Sequence, residues 1–340
     1  MKVAVTGAGG QLGTDLVRLL RAEGHDVLPL HTADIDFAVP QGVADAIRAT
    51  AAHWVVNCAA YTAVDKAEEE PDLALRINRD SAGEVARGVA AGGGRLVHIS
   101  TDFIFDGTQS RPYTEDEPAN PLGAYGRSKW EGEQQVRRHL PEAVILRTAW
   151  VYAAHGRNFA RTILRLAAER EQLKVVDDQV GTPSWTADIA RAVLALMRAE
   201  ATGTYHFTNE GVASWYDFAQ AIVEEARPLG MELALRELLP IPTVDYPTPA
   251  TRPAYSVLSK QKIRPLYGEP IPHWRDSLRA MLRELIEQEA SIPRGQDYQQ
   301  TSPLPQGRGY QQTSPLPPGE GHHQTSPLPP GEGQGEGNHA

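Results

Sequence analysis

The sequence predicts an α/β fold organised as a doubly wound parallel sheet, with a smaller C-terminal lobe. Two observations carry this prediction. Short apolar segments alternate with amphipathic helical segments from the first residues onward, and the first apolar segment runs directly into a glycine-rich turn. Residues 2–6 read as a strand, 11–23 as a helix and 26–30 as a second strand. The alternation continues with a helix over 44–52, a strand over 54–58, a helix over 72–91 and a strand over 95–100. Helical segments of this length between strands imply parallel pairing through right-handed crossovers. A long helix over 128–139 and a strand over 143–147 follow. The stretch from 240 to 272 is irregular and rich in proline, which suits a lobe that caps the sheet rather than a further layer of it.

Residues 1–150 are therefore expected to be mainly the sheet domain, and 151–291 to supply the remaining sheet elements interleaved with the lobe. Beyond them, Thr301, Thr313 and Thr325 each begin a Thr-Ser-Pro-Leu-Pro segment. Repeats of proline, glycine and glutamine without apolar periodicity cannot bury enough surface to offset chain entropy, so 292–340 is expected to be a disordered, inert tail.

Composition narrows the class of function. With 41% apolar residues the chain can build a sizeable core, and its single cysteine, Cys58, excludes an intramolecular disulfide and any cysteine-based metal site. Cys58 reads as a small buried residue in a protein of a reducing, cytoplasmic compartment. The N-terminus lacks the apolar core and cleavage site of a secretory signal, and no apolar run approaches the roughly 18 residues of a spanning helix. A formal charge of −10 argues against nucleic acid polymers and anionic membranes as partners. The eleven histidines show no paired spacing, so no zinc chemistry is indicated.

The first strand ends in Thr6-Gly7-Ala8-Gly9-Gly10-Gln11-Leu12-Gly13. In a Rossmann-like fold, Gly7 and Gly10 let the backbone turn tightly against a pyrophosphate, and Gly13 lets helix pack on strand. The helix N-terminus at Gln11 and Leu12 offers free N–H groups to the anion. The second strand ends Leu30-His31-Thr32, with Asp34 and Ile35 beyond the tip as candidate cofactor contacts. An acid at the tip would favour NADH. Its absence tilts the reading to NADPH, with NADH as the alternative.

A second group of residues carries chemistry. Tyr125 and Lys129 stand four apart on one helical face, where an ammonium can stabilise a phenolate. Thr101 and Asp102 follow the strand over 95–100, at the sheet edge where open α/β sheets bind ligands.

Together the glycine turn, Thr101, Tyr125 and Lys129 resemble the extended short-chain dehydrogenase/reductase family. The segments 57–68, 100–107, 147–152 and 178–183, with Arg252-Pro253 and 274–278, are similar to the dTDP-4-dehydrorhamnose reductases within it, over about residues 1–288. The resemblance implies reduction of dTDP-4-dehydro-6-deoxy-L-mannose to dTDP-L-rhamnose, with Thr101, Tyr125 and Lys129 as the catalytic set. It implies that Thr62, Val64, Asp102, Phe103 and Trp150 line the sugar pocket. Ala59, Ala60 and Tyr61 would pass along the cofactor, and Asn78, counted with the cofactor residues, would support the active-site helix. Phe103 stands where a tyrosine is frequent, which removes a hydroxyl. Some members of the family form homodimers around Mg²⁺ near the first helix. Here Asp15 alone occupies that region, and a hard cation needs several converging oxygens, so Asp15 is expected to be a solvated carboxylate and no metal site is assigned. The acidic runs 68–70 and 115–117 are likewise expected to be solvated surface. Within the same fold, an epimerase or dehydratase holding NAD, or a cofactor-binding regulatory subunit, are the alternatives to a reductase.

Overall fold

A computed structural model describes residues 1–290, and the repeat segment expected as a disordered tail lies outside the described residues. The first half comprises β1 (Lys2–Thr6), α1 (Gln11–Ala22), β2 (Asp26–Leu30), α2 (Val43–Ala49), β3 (Trp54–Asn57), α3 (Lys66–Glu69), α4 (Pro71–Leu75), α5 (Ala82–Gly92), β4 (Arg95–Thr101), α6 (Ala124–His139) and β5 (Val144–Thr148). The second half adds β6 (Val151–Tyr152), α7 (Phe159–Glu169), β7 (Gln172–Val176), β8 (Val180–Gly181), β9 (Ser184–Trp185), α8 (Thr186–Arg198), β10 (Gly203–His206), β11 (Ala213–Ser214), α9 (Trp215–Ala226), β12 (Glu237–Ile241), α10 (Arg264–Tyr267) and α11 (Trp274–Ala290).

Six strands form the central sheet in the order β10-β5-β4-β3-β1-β2, and every neighbouring pair is parallel. A parallel sheet covered on both faces needs strands that are apolar on both sides, and β1 and β3 are buried along nearly their whole length. Val3 and Val5 pack with Leu12, Leu16 and Ile189 on one face, while Ala4 packs with Val43, Ile47 and Val85 on the other. The order reverses at β1, which has β2 on one side and β3 on the other. At that switch point Thr6 donates to Asn57 Oδ1 at 2.6 Å, and the Asn57 amide lies 3.0 Å from His98 Nδ1. This buried polar ladder fixes the register of β1, β3 and β4 beneath the crevice where such sheets take ligands.

The second half returns to the sheet through β10, and α8 packs beside α1. Helix α10 packs on α8 in the sheet core, while α7, α9 and α11 gather around a separate apolar cluster in which Phe159, Ile163, Phe218, Ile222 and Leu278 are buried. The 240–272 stretch holds the end of β12, a short 3-10 turn over Thr243–Asp245 and α10, and is otherwise without regular structure.

Two helices differ from the sequence reading. The helix expected over 72–91 is α4 and α5 joined by a π-helical turn over Arg76–Ser81. The wider turn carries Asn78, whose buried side chain accepts from Tyr61 N at 2.8 Å and donates to Tyr61 O and Ser128 Oγ. The helix expected from 128 begins at Ala124, because Glu68 accepts the Ala124 amide at 2.7 Å. Glu68 therefore caps a helix that lies distant in sequence and is not simply solvated surface. Glu115 is likewise engaged, accepting the His206 amide at 3.1 Å.

Helix α6 is fastened to β4 at three successive turns. Lys129 Nζ donates to Ile99 O at 2.7 Å, Ser100 Oγ donates to Glu133 Oε1 at 2.6 Å, and Thr101 lies against Tyr125. Glu133 has no solvent exposure and also accepts from Arg147 on β5 at 2.8 and 2.9 Å and from Arg137 at 2.9 Å. Removing one partner of a buried ion pair strands the other charge, so Glu133→Ala is expected to lower stability by about 3–5 kcal/mol. Urea unfolding checks this, and a loss below about 1 kcal/mol would contradict it.

Candidate active site

The sheet edge and the second-half lobe enclose a cavity of about 650 Å³ that runs from the glycine turn to the end of β4. The turn forms one end. Gly7 has φ +63°, and a Cβ there would lie 2.7 Å from Ala59 N, so the crossing of β1 over the chain after β3 admits no side chain. Gly10 N donates to Gly7 O at 2.9 Å, and a Cβ on Gly13 would fall 2.2 Å from Gly7 O. Gly10 is the N-cap of α1 with no side-chain cap, and the first turn carries no acid. The helix therefore presents free N–H groups and an unopposed positive dipole to the cavity.

Thr101, Tyr125 and Lys129 meet at the other end. Burial pushes the Tyr125 phenol up to about 12, against the contact with Thr101, which favours the phenolate, and with the Asp102 carboxylate raising it further. Lys129, 3% exposed, is brought down to about 8 by burial, while Glu133 works to keep it charged. The expected stabilisation of a phenolate by Lys129 is thus not what sets Tyr125 here. Burial is the largest influence, and the phenol stays protonated through the neutral range. The Asp102 carboxyl is lifted to about 6 by burial and accepts from Thr101 at 3.1 Å. Burial also raises the Cys58 thiol to about 12, which leaves it inert as a nucleophile.

Of the residues singled out in the sequence, Gly7, Gly10, Gln11, Leu12 and Gly13 line the turn end, with Ile35, Ala59 and Ala60 beside them. Thr62, Val64, Asp102, Phe103 and Trp150 line the far end. The ring of Phe103 meets that of Tyr125 edge-on, with centroids 5.5 Å apart. Three residues named as cofactor contacts do not line the cavity. Asp34 turns back to accept the His31 amide at 2.8 Å, and Tyr61 is buried with its hydroxyl on Glu70 at 3.2 Å. Asn78 instead braces the 59–61 segment against α6 through its bonds to Tyr61 and Ser128.

Asp15 also differs from expectation. It is buried, accepts from Thr186 and from Arg18 at 3.0 Å, and has its pKa raised chiefly by desolvation. Its helix packs against α8, and that tertiary contact takes the carboxylate out of solvent. Among the described residues no group of three His, Cys, Asp or Glu is placed to hold a metal ion, and no helix is long and apolar enough to cross a membrane.

Sequence reasoning passed over two groups that the fold brings to the cavity. One is the chain after β2, where Thr32, Asp36 and Ala38 form the rim. The other is Gly156, Arg157 and Asn158 between β6 and α7, together with Trp215. Trp215 stacks on Trp150 with centroids 3.5 Å apart and planes 3° from parallel. Trp150 has φ +47°, a left-handed conformation that costs a bulky residue about 1–3 kcal/mol and is held by this packing. Trp150 follows β5 while Trp215 lies far along the chain, so no local signal marks their pairing.

A family model described as the RmlD substrate binding domain matches residues 1–287. The chain is 43% identical over 299 residues to a dTDP-4-dehydrorhamnose reductase of Burkholderia thailandensis, an alignment covering 85% of this chain and 100% of that protein. It is 40% identical over 294 residues to a dTDP-4-dehydrorhamnose reductase of Salmonella typhimurium, covering 84% of this chain and 98% of that protein. The crystal structure of dTDP-4-dehydrorhamnose reductase from Bacillus anthracis in complex with NADP superimposes with a TM-score of 0.79 at 36% identity, covering 83% of this chain and 99% of that one.

The depressed Lys129 has a signature in stability. Its pKa is about 8 in the folded protein and about 10.4 in the unfolded chain, so between these values the unfolded state holds more protons. Stability is therefore expected to rise with pH across this window, by up to about 3 kcal/mol, and Lys129→Met is expected to lose that rise. Urea unfolding of both proteins between about pH 7 and pH 10 checks it. Parallel stability curves would contradict the assignment.

Proposed function

The chain belongs to the family of dTDP-4-dehydrorhamnose reductases, and from that premise we propose that it reduces the 4-keto group of dTDP-4-dehydro-6-deoxy-L-mannose to give dTDP-L-rhamnose, using NADPH. One observation carries the reading: Thr101, Tyr125 and Lys129 share a single cavity with an uncapped helix N-terminus at a glycine turn. The residues present suit a nicotinamide dinucleotide. Gly7, Gly10 and the first turn of α1 would hold its pyrophosphate, and Ala59 and Ala60 would pass along its length. When bound, the reduced cofactor supplies the hydride for the sugar C4.

The preference for NADPH rests on the chain after β2. Asp34 accepts the His31 amide and Asp36 accepts the Ala38 amide at 2.8 Å, so both nearby acids are engaged by their own turns rather than free for a ribose 2′-hydroxyl. The NADP found with the Bacillus anthracis relative supports the same preference.

The side chains divide the work. Tyr125, protonated because it is buried, donates its proton to the oxygen on C4 as charge develops there. Thr101 lies beside Tyr125 with its hydroxyl donated to Asp102, and Lys129, tied to Ile99 O by one donor, has others to offer toward the cavity. Thr62 and Asp102 supply polar contacts to the sugar, while Val64, Phe103 and Trp150 give an apolar wall suited to a deoxygenated C6. The wall provides dispersion and excludes water, whereas the polar groups orient the ring.

The experiment is a nicotinamide absorbance assay with the dTDP-4-keto sugar and NADPH. Net oxidation of NADPH is expected from the wild-type protein, and Tyr125→Phe is expected to lower kcat by about 10²–10⁴ with NADPH affinity retained. Near wild-type turnover in that variant would remove the phenol from its role.

A further inference from the structure

Three basic side chains line the cavity, and two of them already have partners within the protein. Lys129 is held on Ile99 O at 2.7 Å, and Arg252 forms a two-pronged ion pair with Asp65 at 2.7 and 3.0 Å. The third, Arg157, is exposed, and its guanidinium makes no hydrogen bond or ion pair among the described residues. Its backbone is nevertheless firmly placed. Gln11 Nε2 donates to Arg157 O at 3.3 Å, Asn158 Nδ2 donates to Gln11 Oε1 at 2.9 Å, and the His155 ring lies 3.1 Å from Gln11 O. Asn158 is itself fixed as the N-cap of α7, accepting Arg161 N at 3.1 Å, and it donates to Ala153 O at 2.9 Å. The loop between β6 and α7 is thereby locked onto the first residue of α1, beside the glycine turn.

We propose that Arg157 binds the pyrophosphate of the nicotinamide dinucleotide, reaching it from the loop beside the glycine turn. The inference rests on the reading that this turn takes such a cofactor. The backbone N–H groups of a helix N-terminus neutralise a diphosphate only in part, and a guanidinium is the group best shaped to complete the job, through paired N–H donors. Because the loop belongs to the second half of the chain and the turn to the first, one anion would then be held from both halves.

Equilibrium titration of NADP⁺, NAD⁺ and dTDP into the full-length wild-type protein, Arg157→Ala and Arg157→Lys tests this. Arg157→Ala is expected to bind NADP⁺ and NAD⁺ about tenfold more weakly, by the same factor for both, with dTDP unaffected. Arg157→Lys is expected to recover part of the loss, and the wild-type advantage is expected to shrink as salt is raised. Equal affinity of wild type and Arg157→Ala for both dinucleotides overturns the clamp alone. A loss confined to NADP⁺ overturns it in favour of the 2′-phosphate, and a loss confined to dTDP overturns it in favour of the substrate. Absence of dinucleotide binding to the wild-type protein overturns both the clamp and the reading beneath it.

Discussion

The arrangement depends on a carboxylate that never meets water. Glu133 sits between Ser100 of β4, Arg147 of β5 and Arg137 of its own helix, and so pins α6 across two strands. Tyr125, Lys129, Glu133 and Arg137 recur every four residues and share a helical face. Ile99, Ser100 and Thr101, consecutive at the end of β4, each engage one of the first three. The lower end of this seam is structural and the upper end is chemical, and the same register sets both. Burial of so many charged groups is costly unless each finds its partner, so alternative placements of the helix are strongly disfavoured.

The same burial governs the chemistry. Desolvation pushes Tyr125 up and Lys129 down, so the proton donor is held protonated beside an ammonium of weakened basicity. Positive potential for anionic ligands is also supplied by the glycine turn at the far end of the cavity, where the helix dipole is unopposed. Proton donation and anion binding are thus separated along one cleft, and the Asn78 brace between the 59–61 segment and α6 holds the two ends at a fixed distance.

Much of this was legible in the sequence because it is local. The strands through β5 announce themselves as apolar segments between amphipathic helices, and the glycine turn and the Tyr125/Lys129 spacing are readable without any tertiary information. What escaped is made by distant partners. The start of α6 is capped by Glu68, fifty-six residues away, so no local signal marks Ala124 as its beginning. The π-helical turn exists to aim Asn78 at Tyr61 and Ser128, and a periodicity argument sees only a helix there. Asp15 is a polar residue on a helix whose opposing surface, α8, arrives 171 residues later through Thr186. Asp34 and Tyr61 are different, since nearby residues, His31 and Glu70, take up their side chains.

The central claim is that the chain performs a net hydride transfer to C4 of the sugar, with Tyr125 supplying the proton. It is tested most directly by running the reaction with NADPH deuterated at the transferring position of the nicotinamide and examining the sugar by NMR. One deuterium at C4 is expected for each NADPH oxidised. A sugar product free of deuterium at C4, with the cofactor pool unchanged, would contradict it.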